Sequence, residues 1–242
     1  MIVVRSTLFF TLFILGILFF AMLIVMLWPV VPLTFRQRLT RSWASYNSRI
    51  LALTCGLRHR LEGVENLPPP PYVIMSKHQS AWETVVFHNF FPNFVWVLKH
   101  SLKYIPLFGW SLQASGQIFI DRSHGIEAMK KLHRQGQENF RRGVSLLVFP
   151  EGTRVAPGSV GEYKPGGVGI AMAAGVPIVP VAHNAGEFWG RRAFLKRSGE
   201  IRVRIGPPIM TAGLSRHARQ EVLHRVQSSI EGMMAEISRP GP

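Results

Sequence analysis

The chain holds a single cysteine, Cys55, so no intrachain disulfide can form and no thiolate cluster or cysteine-rich zinc site can be assembled. That shortage fits a cytosol-facing protein. Acidic residues are also scarce, 13 against 28 lysines and arginines, and the formal charge of +15 directs the chain toward an anionic partner, either lipid or nucleic acid. Metal-ligand spacing is missing too. His59, His88, His100, His124, His133, His183, His217 and His224 fall at intervals that build no convincing site, so no metal is expected. Gly166-Gly167-Val168-Gly169 lacks the Lys-Ser/Thr that completes a nucleotide phosphate loop, which leaves it as the flexible entry to a packed helix, and no cofactor is expected. There is no internal repeat or low-complexity tract. With 242 residues, 47% of them hydrophobic, the chain suffices for one sizeable domain plus a short attachment.

Charge is absent altogether between Ser6 and Phe35. Within that stretch Leu8 to Trp28 is nearly unbroken Leu, Ile, Phe, Val and Met, relieved only by Thr11, Gly16 and Ala21. A helix of this kind is long enough to cross a bilayer, which takes about 20 apolar residues. The core of a cleaved signal peptide is shorter, about 7–15 residues, and ends in small residues. This run ends in Trp28-Pro29-Val30-Val31-Pro32, so a retained anchor is expected, spanning or lying in one leaflet as a helical pair that stops at the prolines. Arg5 precedes it, whereas Arg36, Arg38, Arg41 and Arg49 follow closely, which places the remainder on the cytoplasmic side, of the inner membrane in a bacterium. Leu33 to Leu57 reads as an amphipathic helix, either interfacial on anionic lipid or packed on the domain. The expected division is residues 1–55 as anchor and interfacial helix, and 56–242 as the functional domain. The basic pairs Arg191-Arg192 and Lys196-Arg197 among Phe188, Trp189 and Phe194 suit RNA or a membrane surface, and the upstream anchor favours the membrane, so no nucleic-acid partner is expected.

Beyond Pro68 to Pro71, strand-like runs alternate with helix-like ones, the pattern of an α/β fold with a largely parallel sheet. Strands are expected at 58–62, 72–76, 94–98, 117–120, 145–150, 178–182 and 200–205, and helices at 82–90, 107–115, 126–142, 167–174 and 215–238. In such sheets the loops after the carboxyl ends converge on a crevice. Three of these strands end in chemically loaded turns: Lys77-His78 with Glu83 five residues on, Asp121-Arg122, and Pro150-Glu151-Gly152-Thr153-Arg154. An imidazole accepts a hydroxyl proton near neutrality, and a carboxylate beside it fixes the tautomer and balances the imidazolium. Arginine holds phosphate bidentately at any working pH. Each turn alone is most often a salt bridge solvated at a strand end; three in one domain point to a site.

The order His78-Gln79-Ser80-Ala81-Trp82-Glu83, Gly116 to Arg122, Phe149 to Arg154 and Val176 to Val181 resembles the four blocks of the glycerolipid acyltransferases, most of all the bacterial 1-acylglycerol-3-phosphate acyltransferases. The resemblance runs from about Gly56 to Pro208. One residue departs from it: the family pattern H-x-x-x-x-D has an aspartate where this chain has Glu83. The resemblance implies an acyltransferase-type α/β domain and acyl transfer from acyl-CoA or an acyl carrier protein to the sn-2 hydroxyl of lysophosphatidic acid, giving phosphatidic acid. It implies His78 as general base with Glu83 as its acid, and direct transfer without a protein nucleophile, although Ser80 and Thr84 lie close by. Arg122 and Arg154 are the expected phosphate ligands, with Lys99 third or simply an exposed lysine. Glu151, Gly152 and Thr153 are expected to shape the glycerol pocket, Glu151 being equally readable as a turn-capping carboxylate. Another lysolipid acceptor, such as a lyso-ornithine lipid, is the alternative substrate, and a non-catalytic binder of anionic lipid or nucleic acid the alternative class.

Overall fold

The computed structural model describes residues 1–121 and 125–238, with Ile126 described by its backbone alone. Seven strands form one sheet: β1 (Leu57–Glu62), β2 (Val73–Ser76), β3 (Phe94–Lys99), β4 (Ile118–Ile120), β5 (Ser145–Val148), β6 (Ile178–His183) and β7 (Gly199–Ile205), in the order β1-β7-β6-β2-β5-β3-β4. The five strands from β6 to β4 run parallel. The pair β7 and β1, parallel to each other, joins them through the antiparallel β6–β7 contact. All seven expected strands form, within one or two residues at each end. The central ones are apolar without alternation because both faces are covered: every residue of β2 and β6 is buried.

The two faces carry separate cores. Ile74, Leu147, Val179 and Val181 point to one, shared with Phe9, Ile50, Leu51, Trp82 and Phe87; Val73, Met75, Leu146 and Ile178 point to the other. The second face is closed by α5 (Gly125–Arg141), α6 (Gly166–Ala174) and α8 (Arg219–Ile237), the last burying Leu223, Val226, Ile230, Met233, Met234 and Ile237, the apolar face expected from their spacing. On the first face stand α3 (Trp82–Val86) and α4 (Phe108–Ala114), together with the N-terminal helices α1 (Ile2–Leu27) and α2 (Leu33–Ile50). The helix expected over 82–90 is α only to Val86 and tightens to a 3₁₀ turn over Phe87–Asn89. A further short helix, α7 (Ala185–Phe188), follows β6 and had no counterpart in the periodicity.

α1 is the one helix among the described residues long and apolar enough to cross a membrane. It lies against the domain instead of projecting from it. Arg5 Nε donates to Thr54 O at 2.7 Å, the Lys196 amide donates to Ser6 Oγ at 3.0 Å, and Tyr46 Oη donates to Leu12 O at 2.8 Å. Phe9 is fully buried, its ring edge-on to Trp189 at 5.4 Å. The Lys196 ammonium sits 4.8 Å from the Trp189 ring and 5.1 Å from those of Phe9 and Phe194, a cation held by aromatic faces from both segments. Gly16 permits the approach of α2, since a Cβ there would stand 2.5 Å from the Tyr46 ring. The opposite side of α1, with Leu8, Leu15, Leu18, Phe19, Met22 and Met26, is exposed.

Candidate active site

The carboxyl ends of β2, β5, β3 and β6 meet along one edge of the sheet, and His78 stands at its centre. β2 ends at Ser76, yet the ladder reaches one residue further, where the Lys77 amide donates to Val181 O at 3.0 Å. The chain then leaves the sheet under tight control. The His78 N–H donates to Glu151 Oε2 at 2.9 Å, and its carbonyl accepts the Val155 N–H at 2.9 Å. Its imidazole stacks on Phe149, centroids 3.7 Å apart and planes 11° from parallel, and Phe149 in turn stacks on Trp96.

Glu83 enters from the first turn of α3. Its Oε1 lies 2.8 Å from His78 Nδ1 and accepts the amides of Gln79 and Ser80 at 3.1 and 2.9 Å. The side chain turns back ahead of its own helix, so one oxygen both ties down the loop amides and orients the ring. Burial pushes the Glu83 carboxyl upward, but His183, His78 and the Ser80 amide outweigh it, and the group is held below its ordinary value. A carboxylate at Nδ1 fixes the proton there and leaves Nε2 as the basic nitrogen. The His78 side chain is 13% exposed and that of Glu83 wholly enclosed, so the pair is dry on the acid side and open on the base side. The nearby hydroxyls are committed: Ser80 Oγ donates to Trp189 O at 2.5 Å and accepts the Trp82 amide, and Thr84 Oγ1 donates to Ala81 O.

The turn after β5 supplies the other side. Gly152 adopts φ +68°, the left-handed conformation that glycine takes without penalty, and its N–H closes onto Phe149 O at 3.1 Å. Glu151 is turned inward, away from solvent, with Oε1 2.8 Å from the ammonium of the buried Lys77. Thr153 is exposed. Arg154 is half-buried, its carbonyl accepts from Arg191 at 3.2 Å, and its Nε is buried with no hydrogen-bond partner among the described residues. Lys99, exposed at the end of β3, lies two strands from β2 in the sheet order. Arg122 lies outside the described residues. The structure thus gathers His78, Glu83, Glu151, Gly152 and Arg154 into one loop cluster, with Thr153 on its solvent side and Lys99 at a neighbouring strand end. Two buried neighbours, Lys77 and His183, were not among the expected site residues. Lys77 lies within the first motif, and His183 ends the apolar run of β6 as His78 follows that of β2, a parallel that was available in the sequence.

Beside this cluster runs an apolar cavity of about 410 Å³. Its walls come from α1 (Phe13, Ile17, Phe20), α2 (Trp43), β3 (Trp96, Leu98) and α4 (Leu112), and Ala81, Thr84 and Arg154 join it to the segments around His78. The other polar groups on its wall are largely tied to protein partners, His88 among them. His88 Nε2 accepts the Trp96 indole N–H at 2.9 Å, its ring stacks on Phe94, and burial, with Arg41 adding, pushes its pKa down to about 3. A histidine neutral in the fold but free to protonate when unfolded contributes stability above pH 6.5 that is lost as pH falls from there toward 3. Relative to pH 8, this residue accounts for a loss of about 2 kcal/mol at pH 5. Denaturant unfolding of His88→Gln, which keeps an acceptor for Trp96, is expected to lose less stability between pH 8 and pH 5 by that amount; an unchanged pH dependence counts against the neutral, buried ring.

An imidazole oriented by a buried carboxylate, three residues in sequence from the Ala81 that lines a hydrocarbon cavity, is an arrangement chemically suited to taking a proton from the hydroxyl of an apolar substrate. Comparison with known proteins gives the class a family. The family model described as Acyltransferase matches residues 58–184. The 1-acyl-sn-glycerol-3-phosphate acyltransferase of Pseudomonas aeruginosa is 40% identical over 211 residues, covering 87% of this chain and 82% of that protein. Its namesake in Saccharomyces cerevisiae is 33% identical over 193 residues, 78% of this chain and 63% of that protein. The fold is shared with the crystal structure of the 1-acyl-sn-glycerophosphate acyltransferase PlsC of Thermotoga maritima, at a TM-score of 0.81 and 20% identity, over 100% of this chain and 98% of that one. The chain belongs to the acyltransferase family, as its motif order implied, and is an enzyme.

Proposed function

We propose that the protein transfers a fatty acyl group from a thioester, acyl-CoA or acyl carrier protein, to the sn-2 hydroxyl of 1-acyl-sn-glycerol-3-phosphate, forming phosphatidic acid. The observation that carries the reading is the His78–Glu83 pair with Nε2 left basic, beside an apolar cavity edged by Arg154. His78 Nε2 takes the hydroxyl proton as the oxygen attacks the thioester carbonyl. The C–S bond then breaks and the thiolate leaves with the proton from the imidazolium. Glu83 balances the imidazolium in the interval, the part an acid plays in a Ser-His-Asp triad. Ser80 and Thr84, each committed to a carbonyl, support direct transfer over an acyl-enzyme. Arg154 is the phosphate ligand of choice, with Lys99 from a neighbouring strand end and, from the motif order, Arg122, and Gly152 and Thr153 border the glycerol. The cavity seats an acyl chain. The names of the relatives favour the phosphorylated acceptor over a lyso-ornithine lipid.

Ser6 and Phe9 bind the first turns of α1 to Lys196 and Trp189 of the domain, and Thr54 and Tyr46 tie it to the segment that follows, which supports a helix lying in one leaflet with its exposed apolar side in lipid. The domain then rests on the cytoplasmic side of the membrane, the inner one in a bacterium, its cavity opening toward the lipid from which the acceptor comes. The test is release of free thiol by the detergent-solubilised protein, given each donor with lysophosphatidic acid and, separately, with lysolipids lacking the phosphate. Turnover is expected with lysophosphatidic acid. Turnover only with the other acceptors would overturn the substrate, and none with any combination would overturn the reaction.

A further inference from the structure

His78 is oriented by more than Glu83. The peptide group joining Lys77 to His78 is gripped on both sides by buried side chains. Its carbonyl accepts His183 Nε2–H at 2.9 Å and Ser76 Oγ–H at 3.0 Å, while its N–H donates to Glu151 Oε2 at 2.9 Å. Glu151 is itself fixed from the far side, by the Lys77 ammonium at 2.8 Å and by the Gly161 N–H at 3.3 Å on Oε1. Lys77, whose side chain is 1% exposed, continues to Glu231 of α8 at 2.8 Å and to Ser159 O at 3.0 Å, and the Tyr163 hydroxyl donates to the same Glu231 oxygen at 2.7 Å. His183 is wholly buried. Its Nδ1 accepts the Ala185 amide at 3.3 Å, which leaves the proton on Nε2 for the Lys77 carbonyl.

This is a costly arrangement for a fold to maintain. A lysine buried between two carboxylates is justified as packing only weakly, because apolar residues of similar volume serve stability as well or better. Its position explains it. A peptide plane held at both C=O and N–H cannot rotate, and rotation about that plane would swing the His78 side chain away from both Phe149 and Glu83. We infer that His183, Lys77, Glu151 and Glu231 form a clamp on the Lys77–His78 peptide that positions the general base, and that through Glu231 the clamp ties the base to the C-terminal helix. The inference rests on His78 being the base, as in the proposed function. It also assigns Glu151 to positioning, distinct from the glycerol contact expected of it from the sequence.

Steady-state kinetics on the full chain in detergent separate this role from a merely structural one. His183→Gln keeps a side-chain N–H where the imidazole Nε2–H stood; His183→Phe fills the space between Trp82 and Phe87 without a donor. Misplacing a catalytic group by about 1 Å costs up to roughly 10²-fold, so His183→Phe is expected to lower kcat by about 10–100-fold with KM for both substrates nearly unchanged. His183→Gln is expected to retain most of the wild-type kcat. Equal kcat values for the two variants, or a loss residing in KM, would overturn the clamp. If His183→Phe does not fold, Lys77→Met with Glu151→Met, which removes one charge of each sign together with the acceptor of the His78 N–H, takes its place: a loss confined to kcat supports the clamp and wild-type kcat overturns it. A wild-type protein that does not turn over lysophosphatidic acid refutes the proposed function instead, so the two failures are distinguishable.

Discussion

His78→Ala is expected to lower turnover of lysophosphatidic acid by about 10²–10⁴-fold, the usual worth of a positioned general base. KM for either substrate should move little, because the imidazole meets the reacting hydroxyl while the hydrocarbon and phosphate are bound elsewhere. The fold should survive. Removing the ring takes one of three donors from Glu83 Oε1, but the amides of Gln79 and Ser80 remain, so the buried carboxylate keeps two hydrogen bonds. The His78 backbone also keeps its bonds to Glu151 and Val155, neither of which needs the side chain. A melting temperature near that of the wild type, with α1-dependent membrane binding intact and thiol release collapsed, is the expected combination. Activity within a few-fold of the wild type would remove His78 from the chemistry and leave the Glu83 contact as structural.

The fold could be read from the sequence in advance because its signals are local. Each strand is an apolar run bounded by Pro, Gly or charge, and α8 carries its stripe openly in Val226, Ile230 and Met233. The family was legible from the order of four short blocks. What escaped were properties fixed by tertiary placement. Glu151 sits in a turn that looks exposed in sequence, and only the return of the chain over Ser159 and Gly161 encloses it with Lys77. The spacing of His183 from other histidines carries no signal, whereas its relation to Lys77 is made across the parallel pair β2–β6, 106 residues apart. The length of α1 suggested an anchor, but spacing alone did not tell a free span from a helix laid on its own domain. That depended on single contacts such as Gly16 with Tyr46 and Ser6 with Lys196.

Arg154→Ala is the second large effect, and it should fall on the acceptor. The Val155 amide bonds the His78 carbonyl, so the residue preceding Val155 is held next to the base by the backbone itself. Arg154 lines the cavity, and its Nε is buried without a protein partner among the described residues. A buried cationic donor left unpaired is costly, by about 1–3 kcal/mol or more, unless a ligand completes it. A phosphate monoester is the fitting complement, since the planar fork can give it two parallel hydrogen bonds. One charged hydrogen bond is worth about 1.5–3 kcal/mol, so Arg154→Ala is expected to lower kcat/KM for lysophosphatidic acid by roughly 10–150-fold, mostly through KM. Arg154→Lys should recover only part of this, because an ammonium restores the charge without the fork. The discriminating measurement is KM for each substrate in turn. An increase confined to the thioester would place Arg154 at the donor, and an equal loss for acceptors with and without the phosphate would show that the arginine holds the turn and not the headgroup.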